Sequence, residues 1–279
     1  MKIAVFGGIN MDICGRTDQP LRLRDSNIGH IRLQPGGVAR NIAVNLTRIG
    51  VQCELFTVLG DDALSDSLRA DCTKHGILLE HALSLPGSAC IYLCMHDVDG
   101  DMLLAMNDMA LSSRLDCAYA QSVLPALNSC DLCVLDANAP SEALTFLAKE
   151  LKVPTLLDPV SCAKAERVRD ALPYLTAIKP NIYEARILTG RETPQDCAAV
   201  LLDSGVKRVF ISLGSQGVLY ADAFGCDILP VEQLTDAPKT GAGDAMCAGI
   251  AVALAGGKST PQCAQEGMRC AQRFLLNID

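Results

Sequence analysis

No stretch of this chain approaches the roughly 20 consecutive apolar residues that cross a bilayer. The opening MKIAVFGGINMD carries an apolar run of only a few residues, shorter than the central region of a secretory signal. Both observations lead us to expect a cytoplasmic protein without a membrane partner. Positive charge is also short, with 24 Lys and Arg against 32 Asp and Glu and a net charge of −8. Nucleic-acid phosphates would be repelled by such a surface, so no nucleic-acid partner is expected. The 14 cysteines are scattered singly, and the one close pair, Cys130 and Cys133, has no second pair to complete four zinc ligands. They read as reduced, buried thiols that pack like small apolar groups. The first strand-like run, VFGGIN, is not followed by G-x-G-x-x-G, which counts against a nicotinamide-binding oxidoreductase. No repeat, low-complexity tract or interdomain linker divides the 279 residues, so a single domain over 1–279 is expected.

What remains is a chain that can bury a sizeable core, 49 % hydrophobic and 20 % charged. Short β-branched runs alternate with helical patterns. KIAVFG, CELFTVLG, DLCVLD, VPTLLD, LTAIK and RVFISLG read as buried strands. Helices are expected over 38–49, with Ile42, Ala43, Leu46 and Ile49 at helical spacing and Gly50 as a stop, and near 65–75, 140–151, 183–189 and 194–204. Such alternation indicates an α/β fold with a mainly parallel central sheet, whose ligands bind outside the carboxyl ends of the strands. Two segments, about 13–35 and 89–109, break the pattern with alternating polarity and turn residues, DVDGD among them. They are expected to form a small β-lid over the active face, whose exposed edge offers a route to a homodimer.

The sharpest local pattern is TGAGDAMCAGIAVAL, in which Gly241, Ala242 and Gly243 open an apolar helix carrying Met246, Ile250 and Leu254. First-turn N–H groups have no intrahelical partner, and small residues let an anion approach them. Asp244 lies in that turn. The arrangement reads either as a tight glycine turn with an acidic residue complementing the dipole or as an anion hole beside a general base. Phosphoryl transfer to a hydroxyl needs the second, with Asp244 taking the proton. Asn10 and Asp12 follow the first strand, where a carboxylate can accept two hydroxyl hydrogen bonds from a diol, or where Asp12 simply makes a turn. In KPNIYEA, Asn181 and Glu184 match a capping box, and Lys179 stands at the strand end before them. Asp158 in DPVSCAK is either a ligand close to a magnesium ion or the cap of the next turn, and Lys164 reads as a solvated lysine.

TGAGDAMCAG together with PGGVARNIAVNLTRIG resembles the two signatures of the PfkB, or ribokinase-like, family of sugar and nucleoside kinases, over residues 2 to about 255. The resemblance implies a three-layer α/β/α ribokinase-like fold, ATP and Mg2+ as cofactors, and a small-molecule nucleoside or sugar as acceptor. It implies that Asp12, Gly36, Gly37 and Asn41 hold the sugar, and that Asn138 at another strand end meets the acceptor. Asn181 and Glu184 would organise magnesium and phosphate and Lys164 would contact a phosphate, while Ser212, Gly214 and Gly217 would form a nucleotide-contacting turn, for which a plain hairpin is the rival. Asn107 and Asp108, on the returning lid arm, would face the acceptor's base or close the lid turn. Family alternatives are a kinase of ribose, another nucleoside or a ketose phosphate, or a catalytically silent sensor. Two departures stand out. Only 35 residues follow Asp244, so an adenine pocket more open than usual, or completed by another subunit, is expected. Pro238 and Lys239 occupy the place of a potassium-binding loop, and the Lys239 ammonium would either replace the monovalent cation or point into solvent.

Overall fold

Apolar, β-branched stretches with no room for a polar face become the central strands, and the capped segments between them become helices. The computed structural model describes residues 1–231 and 241–277. In chain order its strands are β1 (Lys2–Phe6), β2 (Asn10–Thr17), β3 (Gly29–Gly36), β4 (Gln52–Phe56), β5 (Val58–Leu59), β6 (Leu83–Ser84), β7 (Ile91–His96), β8 (Met102–Asp108), β9 (Leu132–Asp136), β10 (Thr155–Asp158), β11 (Ala177–Ile178), β12 (Arg208–Ser212), β13 (Val218–Asp222) and β14 (Gly225–Leu229). The helices are α1 (Val38–Arg48), α2 (Ala63–Lys74), α3 (Cys117–Leu127), α4 (Ser141–Glu150), α5 (Cys162–Ala165), α6 (Ile182–Thr189), α7 (Pro194–Asp203), α8 (Ala242–Ala255) and α9 (Thr260–Leu275).

The main sheet runs β14-β13-β12-β11-β10-β9-β1-β4. From β12 to β4 every pairing is parallel, and β13 alone is reversed, pairing antiparallel with both β12 and β14. Alternate side chains of one strand feed opposite faces, as a pleat requires. Ile3 and Val5 of β1 join a core with α1, α8 and α9, while Ala4 and Phe6 join the core under α3, α4, α6 and α7. The result is the three-layer α/β/α arrangement.

Local chemistry sets the element ends. The Asp62 and Asp116 side chains accept hydrogen bonds from the N–H groups of Ser65 and Tyr119, starting α2 and α3. Thr193 caps α7 ahead of Pro194, and Gly190 closes α6 in the left-handed conformation. Helix α8 is buried around most of its circumference, not only along Met246, Ile250 and Leu254. It is wedged between the sheet, α1 and α9, with Gly249 against the Glu266 backbone.

The segments that interrupt the strand–helix alternation supply a second sheet of order β3-β2-β7-β8. Its β2–β7 pair is parallel and the outer pairs are antiparallel. One register row across it is Gln34, Asp12, Tyr92 and Asn107; the next row on the same face is Arg32, Cys14, Cys94 and Ala105. Among the described residues no helix is long and apolar enough to cross a membrane.

Candidate active site

The carboxyl ends of β1, β9, β10 and β11 open on one edge of the main sheet, and the start of α8 points at that edge. Asp244, half-buried in the first turn of α8, accepts a hydrogen bond from Asn41 Nδ2 at 3.0 Å. Burial and the nearby Asp158 carboxylate push its carboxyl up to about 7, against the lowering effect of Asn41 and Lys179. Gly241 precedes the helix at φ 94°, and any Cβ there would lie 2.6 Å from the Phe274 ring. A Cβ on Gly243 would meet Lys179 Nζ at 3.6 Å, an ordinary contact, so this position lies beside the ammonium without sterically requiring glycine. Gly241, Ala242 and Gly243 together leave the helix start open to a negatively charged group.

Lys179 is buried at the end of β11 and pairs with Asp158 Oδ2 at 3.1 Å. Burial alone would lower its pKa, but the Asp158 carboxylate outweighs that and raises it, so the ammonium stays charged. The other oxygen of Asp158, Oδ1, accepts a hydrogen bond from the Val160 N–H at 2.8 Å. It is therefore both a turn cap and a counter-ion. Val160 is held at φ 70°, a left-handed conformation that a β-branched residue rarely adopts, which marks this turn as strained. Asn181 and Glu184 form the complete capping box of α6, with the Asn181 N–H donating to Glu184 Oε2 at 2.8 Å and the Glu184 N–H to Asn181 Oδ1 at 2.9 Å. Burial and Asp158 raise the Glu184 pKa. Its other oxygen accepts no hydrogen bond among the described residues.

On the opposite wall Asn10 Nδ2 donates to Asp12 Oδ1 at 2.6 Å. Burial raises the Asp12 pKa against that bond. Gly36 must be bare, because a Cβ would lie 2.3 Å from an Asp12 oxygen. Gly37, at φ 99°, would drive a Cβ to 2.5 Å from the Gly8 carbonyl oxygen. The glycine pair thus lets the start of α1 press against the β1–β2 turn and places Asn41 one helical turn inside.

Asp136, at the end of β9, is the organising residue that sequence reasoning passed over. Fully buried, its carboxylate accepts from the N–H groups of Gly8 (3.2 Å), Ala39 (2.8 Å) and Asn138 (3.0 Å), and from Asn138 Nδ2 (2.9 Å). It ties the β1 turn, the start of α1 and the β9 end into one wall. Burial pushes its carboxyl up to about 6, with the Asn138 and Gly8 donors opposing. Asn138 Oδ1 in turn accepts a hydrogen bond from Lys164, whose pKa burial lowers.

Ser212, Gly214 and Gly217 lie in the β12–β13 hairpin, which the Leu213 N–H closes onto the Gly217 carbonyl. Ser212 forms a bridge with Asn181, so this turn borders the capping box. Asn107 and Asp108 are exposed on β8 and touch none of the groups above. Asn107 shares the register row of Asp12, and Asp108 accepts from the Ala110 N–H at 3.2 Å, closing the following turn. Pro238 and Lys239 lie outside the described residues.

A family model described as pfkB family carbohydrate kinase matches residues 1–276. The chain is 34 % identical to pseudouridine kinase of Escherichia coli, covering 98 % of this chain and 90 % of that protein. It is 26 % identical to ribokinase of Bacillus subtilis, covering 92 % and 86 %. Among solved structures, ribokinase of Thermotoga maritima superposes with a TM-score of 0.88 at 25 % identity, covering 98 % of this chain and 92 % of that one. A carboxylate set beside a helix start, a match along nearly the whole chain and a shared ribokinase-like fold lead to one conclusion: this chain belongs to the pfkB family of carbohydrate kinases, which transfer phosphate to a hydroxyl group.

Proposed function

We propose that this chain uses ATP to phosphorylate the 5′-hydroxyl of pseudouridine, giving pseudouridine 5′-phosphate and ADP. The observation that carries the chemistry is Asp244, a carboxyl poised at about 7 in the first turn of α8 and held by Asn41. A base of that pKa takes the hydroxyl proton near neutral pH as the oxygen attacks the γ-phosphorus. The open first turn at Gly241, Ala242 and Gly243 holds the charge that develops on the transferred group. Asp12, oriented by Asn10, grips the ribose diol with Gly36, Gly37 and Asn41, and Asn138 adds a further contact. Lys179 and Asn181 meet the nucleotide phosphates, and the turn of Ser212, Gly214 and Gly217 lies against the nucleotide. The second sheet acts as the lid and keeps water from the γ-phosphate. Similarity to the E. coli pseudouridine kinase over nearly the full length supports the acceptor, and Asn107, in the register row of Asp12, supports a face that meets its base.

The donor set fits Mg2+: Glu184 has an oxygen without a hydrogen bond among the described residues, and the Asp158 carboxylate lies close enough to raise its pKa. When bound with the nucleotide, the ion neutralises phosphate charge. We infer that no potassium is needed, which turnover with sodium in its place tests. The lid's two outer strands leave Ile31 and Leu33 of β3 and Leu104 and Met106 of β8 exposed, which supports pairing with a second copy, to be tested by light scattering.

ADP release measured with pseudouridine, uridine, ribose and fructose phosphates tests the substrate. The expected order places pseudouridine first in kcat/KM. A tenfold preference for any sugar, or no ADP with any acceptor, overturns the reading.

A further inference from the structure

On the face of the small sheet that carries Asp12, a cavity of about 590 Å3 opens toward the free end of the strands. Its walls include Arg16, Arg32, His30 and His96, with Cys14 at the base. One carboxylate, Asp18, lies 3.5 Å from His30. In a chain of net charge −8, two guanidiniums and two imidazoles around one groove make a local site for anions. Arg16 is anchored by donating to the Val98 carbonyl, and Arg32 makes no hydrogen bond or ion pair among the described residues.

Cys14 is in register with Arg32 on one side and with Cys94 on the other. The Cys94 thiol, buried behind it, donates to Cys14 Sγ across 2.9 Å. Neighbouring strands stand about 4.8 Å apart, inside the ~4.4–6.8 Å Cα separation that a disulfide spans. Burial and the Cys14 thiol push the Cys94 thiol up to about 11, which suits it to the second step of an exchange rather than the first.

We propose that Cys14 is a thiol-modification site, that the basic groove binds the carboxylates of an anionic low-molecular-weight disulfide of the glutathione class, and that Cys94 is the resolving thiol. Cys14, as thiolate, attacks one sulfur of the bound disulfide; the S–S bond breaks, and one half leaves as a thiolate that takes up a proton. Cys94 then gives up its proton and attacks Cys14 Sγ, forming the Cys14–Cys94 bond and expelling the second half as a thiol. Two protein thiols are oxidised and one small disulfide is reduced to two thiols. The new bond fixes β2 to β7 one pleat away from the row of Asp12 and Tyr92.

The test treats the full chain with glutathione disulfide, quenches by alkylation and maps the peptides by mass. Exposed Cys162 and Cys226 serve as internal references. The expected result is a Cys14–Cys94 linked peptide that forms before either reference thiol reacts, and a stable glutathione adduct at Cys14 in C94S. Arg16→Ala and Arg32→Ala slow the reaction with glutathione disulfide by about threefold or more, while leaving that with uncharged hydroxyethyl disulfide unchanged. Circular dichroism establishes that each variant is folded before it is scored. Cys14 and Cys94 still fully alkylated once Cys162 and Cys226 have reacted would overturn the proposal. Equal sensitivity of charged and uncharged disulfides to the arginine substitutions would overturn the anion groove.

Discussion

Replacing Asp244 by Asn should make the protein less active and more stable at the same time. An Asp carboxyl ordinarily titrates near 3.8, and here it is pushed up to about 7. A shift of roughly three units corresponds to about 4 kcal/mol of preference for the protonated form. Asp244 is half-buried, so solvent screening cuts this to about 2 kcal/mol, and losing a negative charge at a helix start gives back ~0.5 kcal/mol. The sign follows from the direction of the shift. The folded chain holds this proton more tightly than the unfolded chain, so the ionised carboxylate destabilises the fold above pH 7. That penalty fades as pH falls through 7 and is gone below about 4. Asn keeps an oxygen for Asn41 and carries no charge. The variant should therefore be about 1–2 kcal/mol more stable than the parent at pH 8 and equal to it near pH 4. Turnover should fall by ~10²–10⁴-fold with the loss of the base. Urea unfolding at pH 4, 6 and 8, alongside ADP release with saturating acceptor, measures both. A variant less stable than the parent at pH 8 would show that the carboxylate is not strained by its surroundings, and near-normal turnover would show that it is not the base.

Three further outcomes follow from the same geometry. Asn41→Ala removes a hydrogen bond to a charged carboxylate worth about 1.5–3 kcal/mol, so the acid limb of the kcat–pH profile should move up by about one to two units; an unmoved limb refutes the link between Asn41 and Asp244. Asp136→Ala strands the buried N–H groups of Gly8, Ala39 and Asn138 and should cost about 3 kcal/mol or more in urea unfolding; a loss below ~1 kcal/mol would mean that water replaces the carboxylate. Gly37→Ala puts a Cβ 2.5 Å from the Gly8 carbonyl oxygen at φ 99°, so Tm should drop and acceptor KM should rise more than kcat falls; an unchanged KM refutes the role of this turn in shaping the acceptor wall.

The parts legible in the sequence were those whose physics is local. Ile42, Ala43 and Leu46 announced α1 by spacing alone, and all three are buried in it. Asn181 and Glu184 spelled a capping box, and both of its hydrogen bonds are made. Helix α3 was not anticipated, because CAYAQSVLPAL carries a proline at 125 and has little polar contrast between its sides. Asp136 was invisible for a different reason: the two donors that tie it to the other wall segments, Gly8 and Ala39, lie 128 and 97 residues away in the chain, and DLCVLD by itself reads only as a strand with an acidic end. The glycine turn at 241 reads in sequence as either a plain turn or an anion hole, and the Phe274 ring lying against it is a tertiary contact that no window around residue 241 contains.

The bond between Asn41 and Asp244 joins residues 203 positions apart. At the ribosome's usual pace of ~5–20 residues per second, an emerging chain carries Asn41 for roughly 10–40 seconds before Asp244 exists to pair with it. Asp136 is made 108 residues before Asp244, so for roughly 5–20 seconds of that interval the strand ends around Asp12 and Asp136 have no helix start opposite them. A copy that ends short of α8 has neither Asp244 nor the helix packed against α1, so the two sides of the candidate site meet only once that last stretch of the chain is made.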